Sequence, residues 1–166
     1  MRQRNEGDVT RRGTVGLAKS HDMRNWEMLP PLEHDRIAEE MEVPQVHYID
    51  GLYYLVFCTI SGHATLPDLL SPQFKSCFPG HRFRCTDYSM VGTSPLGPFR
   101  IHGTGEILPK VPSPWFYASQ LVNFKGEWFL LGTGRDEKGS WISDPCPIFA
   151  DETGVHVPEH AIQAYL

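Results

Sequence analysis

Three features of the sequence predict an all-β fold of short antiparallel strands. Gly and Pro account for 15 and 14 of the 166 residues, which indicates many turns. Two apolar stretches, 44–55 and 119–130, align at a constant offset of 75 residues, with Gln45 on Gln120 and Gly51 on Gly126. A turn that starts with Ser and ends with an aromatic residue also recurs. Four antiparallel strands per repeat at this spacing are typical of a β-propeller blade.

Each predicted blade has two long strands around a Gly turn, a third strand ending in Ser, and a short fourth strand. Residues 13–32 are the outer half of one blade, 41–108 a second blade and 115–160 a third. An insertion near 60–87 separates the second and third strands of the middle blade, where insertions in propellers usually shape the site. A two-sheet sandwich also uses short strands and turns, but the 75-residue register favours the propeller.

The domain limits follow from this pattern. Residues 1–12 are polar, charged and without periodicity, so we expect a tail. Residues 13–166 form the predicted partial propeller, with blade boundaries near 33–41 and 109–114. Within the first half-blade, Ser20–Trp26 is a turn in which Asp22 should accept backbone N–H bonds and Trp26 should fold back as an anchor.

Composition restricts the class of partner. With 40% hydrophobic and 21% charged residues, the chain reads as a globular protein. A net charge of −5 without a long basic run argues against nucleic acid. No apolar stretch approaches the ~20 residues that span a bilayer, and no signal-peptide core is visible at the start. We therefore expect no membrane partner and a cytoplasmic location.

The four cysteines do not indicate a cofactor. Cys77 and Cys85 flank a loop and could close a disulfide or hold a metal with His63 or His81. Their spacing fits no standard zinc pattern, so free thiols are expected, with no metal and no cofactor. Cys58 lies inside an apolar run and is predicted to be a buried small hydrophobe.

The segment Met41-Glu42-Val43-Pro44-Gln45 places a carboxylate beside a proline at the head of a long strand. In a propeller this is the head of a blade's innermost strand, where sites lie. A carboxyl in apolar surroundings can hold its proton near neutral pH, which suits a general acid. The alternative is a surface glutamate that follows Glu39 and Glu40.

Three motifs in order resemble the five-bladed propeller glycoside hydrolases. They are Gly16-Leu17-Ala18-x-Ser20-x-Asp22-x-x-x-Trp26, Met41-Glu42-Val43-Pro44-Gln45 and Trp115-Phe116-Tyr117-Ala118-Ser119-Gln120. The sequence is most similar to the β-fructosidase group, glycoside hydrolase family 32, and more distantly to its levansucrase and arabinanase-like relatives. The resemblance implies five blades in the intact fold and a general acid/base role for Glu42. Val43 departs from the Cys of the family's Glu-Cys-Pro motif.

The resemblance also suggests a sugar pocket. Trp115 and Tyr117 could stack on a sugar face, since aromatic rings offer a flat apolar surface with a polar edge. The candidate hydrogen-bonding partners are Gln45, His47, Gln120 and Arg135. Core packing is the alternative for all of them. Trp26, Trp128 and Trp141 are assigned to packing within the blades.

A second carboxylate is the missing part of the chemistry, because glycoside hydrolysis uses two. The family's nucleophile Asp motif and its Arg-Asp-Pro motif are both absent from this sequence; Asp144-Pro145 and Arg135-Asp136 match neither. Whether the chain is an enzyme is therefore left open. It is either a hydrolase-like protein acting on or binding a fructofuranosyl or related saccharide, or an inactive carbohydrate-binding or assembly module. It is either a fragment or half of a symmetric homodimer whose two copies complete the ring. We expect self-association, because a lone half-ring would leave the apolar flanks of its blades in water.

Overall fold

The computed structural model describes residues 12–38, 40–59, 86–108, 117–136 and 139–162. Most of the predicted tail, Trp115 and the insertion that carries Cys77 and Cys85 lie outside these residues. Antiparallel strands dominate, and no helix among the described residues is long and apolar enough to cross a membrane. The elements are β1 (Leu17–Lys19), β2 (Glu27–Leu29), β3 (Glu42–Ile49), β4 (Leu52–Thr59), β5 (Thr86–Gly92), β6 (Tyr117–Phe124), β7 (Glu127–Asp136), β8 (Gly139–Ile142), β9 (Cys146–Pro147), β10 (Phe149–Asp151), β11 (Gly154–His156) and α1 (Glu159–Ile162).

Two neighbouring sheets repeat the same plan. The first has the order β3-β4-β5, and a bridge between Val91 and Arg100 adds a short fourth segment at its outer edge. The second has the order β6-β7-β8, and β9 pairs with β7 as well. The hairpins β1-β2 and β10-β11 form separate two-stranded sheets. The third strand of the second sheet is thus split into β8 and β9, a detail that the sequence pattern did not reveal.

The 75-residue register is confirmed at the level of the backbone. Both long hairpins turn on a residue with positive φ followed by Gly, Asp50-Gly51 and Lys125-Gly126, which suits a tight two-residue turn. Both inner strands also carry a β-bulge at the same place, between Glu42 and Gln45 in β3 and between Tyr117 and Gln120 in β6. The repeat therefore includes backbone irregularities that sequence similarity alone does not show.

Strands β4 and β5 are buried on both faces of the first sheet. One face contributes Leu55, Phe57, Tyr88 and Met90, which pack against the N-terminal segment that runs from Val15 to Met41. The other face contributes Tyr54, Val56 and Val91, which pack against β6, β7 and the C-terminal hairpin. Residues 32–38 and 40–41 form no helix, although residues such as Ala38 and Met41 favour helices; Ile37, Ala38 and Met41 fill the core instead.

The two repeats expose opposite faces of their inner strands. On β6, Phe124 is 61% exposed, whereas its equivalent on β3, Ile49, is 5% exposed because β6 and its sheet cover it. On β3, Val46 is 38% exposed, whereas its equivalent on β6, Leu121, is 5% exposed. We call Gln120, Val122 and Phe124 the front surface and Val46 and Tyr48 the back surface. The β3 residue equivalent to Phe124 and the β6 residue equivalent to Val46 are thus both buried inside the chain, where the two sheets meet.

The open edge of β6 is satisfied by a side chain from the neighbouring sheet. Gln45 Nε2 donates to the Ser119 carbonyl at 2.7 Å, and Gln45 Oε1 accepts from the Leu121 N–H at 3.1 Å. A glutamine amide offers the same donor and acceptor as a peptide group, so Gln45 takes the place of a neighbouring strand. This contact locks the two sheets together at their inner ends.

The first turn is built as predicted except for its tryptophan. The Asp22 carboxylate accepts the N–H groups of Arg24 and Asn25 at 2.9 and 2.8 Å, and these bonds lower the pKa of Asp22 below its ordinary value. Trp26, however, is 55% exposed, so its assignment to blade packing is wrong. The hairpin β1-β2 supplies only the outer strands of its blade, which leaves Trp26 little to pack against.

Replacement of Gln45 by Ala should destabilise the protein far more than the same change at its repeat equivalent, Gln120. Gln45→Ala leaves a buried N–H and C=O of β6 without partners, which should lower the free energy of unfolding by about 2–3 kcal/mol. Gln120 is exposed, so Gln120→Ala should change it by less than about 0.5 kcal/mol. Urea unfolding of both variants measures the difference, and equal losses would contradict the role of Gln45.

Candidate functional site

Glu42 is the first residue of β3 and lies at a backbone irregularity. Val43 has φ 47° and lies in a bulge that places two residues of β3, Val43 and Pro44, opposite one residue of β4, Phe57. A positive φ is rare for a β-branched residue and marks local strain of the kind found at functional sites. Pro44 has no N–H to contribute to the ladder, which suits a bulge. The bulge turns Glu42 away from the direction that a regular strand would give it.

Tyr117 occupies the position equivalent to Glu42 in the next repeat, and its backbone has the same irregularity. Ala118 has φ 54°, and the second bulge follows. The Tyr117 hydroxyl donates a hydrogen bond to Oε2 of Glu42. Burial, and then this bond to Glu42, raise the pKa of Tyr117 above its ordinary value. Two equivalent bulges in adjacent repeats thus bring a carboxylate and a phenol together.

A row of three side chains crosses the first sheet at this end. Glu42 pairs with Cys58 on β4, and Cys58 pairs with Asp87 on β5. Two strand spacings separate the Cα atoms of Glu42 and Asp87 by about 10 Å. Burial, and then the negative charge of Asp87, raise the pKa of the Cys58 thiol to about 12, so the thiol stays neutral. The prediction that Cys58 is buried is confirmed.

Asp87 is the buried end of this row. Its side chain is 1% exposed, and β6 closes over it: the Ser119 hydroxyl donates to Oδ2 at 2.5 Å and the Ser119 N–H to Oδ1 at 3.1 Å. Burial raises the pKa of Asp87 to about 6, although the two bonds from Ser119 act in the opposite direction. Asp87 is therefore a structural carboxylate that no saccharide can reach.

Gln45 and His47 follow Glu42 on the same face of β3. Their side chains are joined to each other, with His47 Nε2 lying 3.1 Å from Gln45 Oε1. His47 also makes an edge contact with Trp128, with ring centroids 5.3 Å apart, and burial lowers the pKa of His47. Both residues occupy the contact between the two sheets. Their predicted substrate-binding role stays a prediction.

The remaining candidates are Gln120, Arg135 and Trp115. Gln120 is exposed on the front surface of β6. Arg135 lies in β7, and its side chain is outside what the structure describes, as is Trp115 altogether. Among the described residues, no three His, Cys, Asp or Glu side chains form a group that could hold a metal ion. Among the described candidates, the structure brings Tyr117 into direct contact with Glu42, and Gln45 into contact with His47.

Asp87 and Ser119 were missed in the sequence. A signal was available, because Asp87, Ser89 and Val91 alternate along β5 on the face that packs against β6 and β11. A carboxylate at an inward position of an otherwise apolar strand needs a partner. Its partner, Ser119, sits inside the Tyr117–Gln120 motif, but nothing in the sequence links the two segments.

Comparison with solved structures finds the same arrangement of strands in larger enzymes. The inulosucrase from Halalkalicoccus jeotgali bound to kestose matches with a TM-score of 0.66 at 18% identity, over 93% of this chain and 42% of that one. Bacillus subtilis levansucrase matches with a TM-score of 0.62 at 13% identity, over 91% of this chain and 36% of that one. The chain is a partial β-propeller. It spans less than half the length of these structures.

A third neighbour has the same character. The catalytic domain of the Microbacterium saccharophilum K-1 β-fructofuranosidase matches with a TM-score of 0.59 at 16% identity, over 91% of this chain and 35% of that one. No protein-family model and no curated protein matches the sequence. At these identities the likeness establishes the fold, and it confirms the propeller that the repeat predicts.

The raised pKa of Asp87 predicts a pH-dependent stability. Between pH 3.8, its ordinary pKa, and about pH 6, folded Asp87 keeps a proton that the unfolded chain has lost. Protonation of Asp87 therefore adds to the free energy of unfolding; this contribution is complete below pH 3.8 and is lost as the pH rises through 6. Asp87→Asn removes the titration. Relative to wild type, the variant should therefore gain about 2–2.5 kcal/mol of unfolding free energy between pH 4 and pH 8.

Urea unfolding of both proteins at the two pH values measures this difference, because groups shared by both proteins cancel. Ser89→Ala is the matched control: Ser89 is a buried, uncharged residue on the same face of β5. Its difference from wild type should not vary with pH. A difference for Asp87→Asn that is also constant from pH 4 to pH 8 would refute the prediction.

Proposed function

We propose that the chain is a glycoside-hydrolase-like module that hydrolyses or binds a fructofuranosyl-containing or related saccharide, with Glu42 as the general acid/base. The observation that carries the proposal is the bond from the Tyr117 hydroxyl to Glu42, at the head of two equivalent inner strands. Support also comes from the neighbours in fold space, which include an inulosucrase bound to kestose and a β-fructofuranosidase.

The chemistry assigned to Glu42 is proton transfer. As an acid it would protonate the oxygen of the leaving sugar, and as a base it would later activate water. Tyr117 orients the carboxylate and is itself half-buried, so its ring is available to a sugar face. A second carboxylate is needed, and Asp87 is sealed under β6. We therefore assign the nucleophile to another part of the complete ring.

A second function is favoured by the sealed Asp87. If no accessible carboxylate faces Glu42 in the complete assembly, the protein binds saccharides or assembles without cleaving them. Binding and hydrolysis are separable, because a carboxylate and an aromatic ring suffice to hold a sugar.

We also propose that a second copy of the chain supplies the missing neighbours. The front surface of one copy would meet the back surface of another, as β6 meets β3 within the chain. Phe124 is 61% exposed and Tyr48 is 59% exposed, and large apolar side chains of this kind are typical of contacts that exclude water. Both contacts of a two-copy ring would then be equivalent, as closed symmetry requires.

Glu42→Gln tests the catalytic assignment. Hydrolysis of sucrose, kestose, inulin and aryl fructosides should fall by at least about 100-fold, since general acid–base catalysis contributes 10²–10⁴-fold. Saccharide binding, measured by calorimetry, should persist in the variant. Equal hydrolysis by wild type and variant, with binding retained, would leave the binding function in place; equal hydrolysis without binding would eliminate both functions.

Phe124→Lys tests self-association. A charge placed on the front surface should convert a dimer into a monomer in light scattering at micromolar concentration, while the thermal unfolding of the monomer changes little. Leu96→Lys is the matched control, because Leu96 is 56% exposed in a turn away from both surfaces. A wild-type monomer, or a dimer unaffected by Phe124→Lys, would contradict the proposed contact.

A further inference from the structure

The start of β6 is attached to the first sheet at two points two residues apart. At one point, Tyr117 donates to Glu42; at the other, Ser119 donates both its hydroxyl and its N–H to Asp87. Ala118 lies between them with φ 54°, so the segment is neither a regular strand nor a free loop. The conformation of this segment therefore depends on the hydrogen bonds made by Tyr117 and Ser119 at its two ends.

The two attachments differ in burial. Asp87 and Ser119 are each 1% exposed, whereas Glu42 and Tyr117 are only half-buried. A buried carboxylate that accepts two hydrogen bonds from one residue is a strong and geometrically specific anchor. The contact between phenol and carboxylate is at the exposed end, where water competes. The buried pair therefore determines where the exposed pair lies.

We propose that Asp87 is a positioning residue: through Ser119 it holds the β6 bulge in place, so that the Tyr117 hydroxyl stays on Glu42 and fixes the direction of that carboxylate. Asp87 acts through Ser119 and Tyr117 and touches no substrate. The inference rests on the proposed function in so far as Glu42 is the acid/base. The geometric part, from Asp87 to Tyr117, stands independently of any saccharide.

The strand pairing explains how Asp87 and Glu42 can both hold the start of β6. Asp87 belongs to the same cross-strand row as Glu42, with Cys58 between them. Residues of one row lie on the same face of the sheet, so both carboxylates face β6. Glu42 accepts a hydrogen bond from Tyr117, and Asp87 accepts hydrogen bonds from Ser119. The neutral Cys58 thiol separates the two negative charges. A shift of β6 along the row would break both attachments together.

The test uses the titration of the Tyr117 phenol in the whole protein, followed by NMR of ¹³C-labelled tyrosine and assigned through Tyr117→Phe. In wild type, this phenol should resist ionisation into alkaline solution, in keeping with its raised pKa. Asp87→Asn and Ser119→Ala should move its titration towards that of an ordinary tyrosine, because Tyr117 loses its partial burial and its bond to Glu42. Ser119→Thr keeps the hydroxyl donor and should retain the wild-type titration.

Ser89→Ala is the matched control for a loss of stability. Ser89 is also 1% exposed, lies two residues from Asp87 on β5, and accepts the Val155 N–H at 3.0 Å. Its removal deletes a buried hydrogen bond without touching β6, so the Tyr117 titration should not change. An unchanged titration in folded Asp87→Asn and Ser119→Ala, or an equal change in Ser89→Ala, would overturn the proposal.

The catalytic consequence is measured separately. If wild type hydrolyses a fructoside, Asp87→Asn should lower kcat by roughly 10- to 100-fold with little change in KM, the cost of a misplaced catalytic group. An unchanged kcat would overturn the link to Glu42. If neither wild type nor Glu42→Gln hydrolyses any saccharide, the proposed hydrolysis fails. The phenol titration then still decides whether Asp87 positions Tyr117.

Discussion

The hydrogen-bonding edge of β6 is the constraint on which the arrangement of the two sheets depends. An inner strand has a partner on one side only, and its free edge offers N–H and C=O groups that must be satisfied. Here Asp87 accepts a hydrogen bond from the Ser119 N–H, while Gln45 donates to the Ser119 carbonyl and accepts from the Leu121 N–H. Side chains of one sheet thus act as a substitute strand for the next. This contact sets the distance and the register between the two repeats, and with them the meeting of Glu42 and Tyr117.

The sequence supports the fold further than it supports the site. The offset of 75 residues predicts the paired hairpins, because a repeat constrains many positions at once. Trp26 shows the limit. A motif specifies a turn locally, but whether its aromatic residue is buried depends on inner strands that the hairpin β1-β2 does not itself supply.

The partners of Glu42 could be predicted only in part. Tyr117 stands at the equivalent position of the repeat, so its nearness to the same end of the propeller follows from the sequence. Its direct bond to Glu42 depends on two bulges with positive φ at Val43 and Ala118, residues whose types give no warning of that conformation. Asp87 was missed for another reason: the sequence pattern places it at the end of the insertion near 60–87, whereas β5 begins at Thr86.

The contrast between equivalent residues bears on how the site is completed. Gln45 links β3 to β6 within the chain, whereas Gln120, at the same place in the next repeat, lies on the exposed front surface. The Gln120 amide can therefore make the same two hydrogen bonds as Gln45, provided that the inner strand of a neighbouring blade offers a free edge like that of β6. A neighbour held in that way would place its own strand head beside Tyr117, as β6 places Tyr117 beside Glu42.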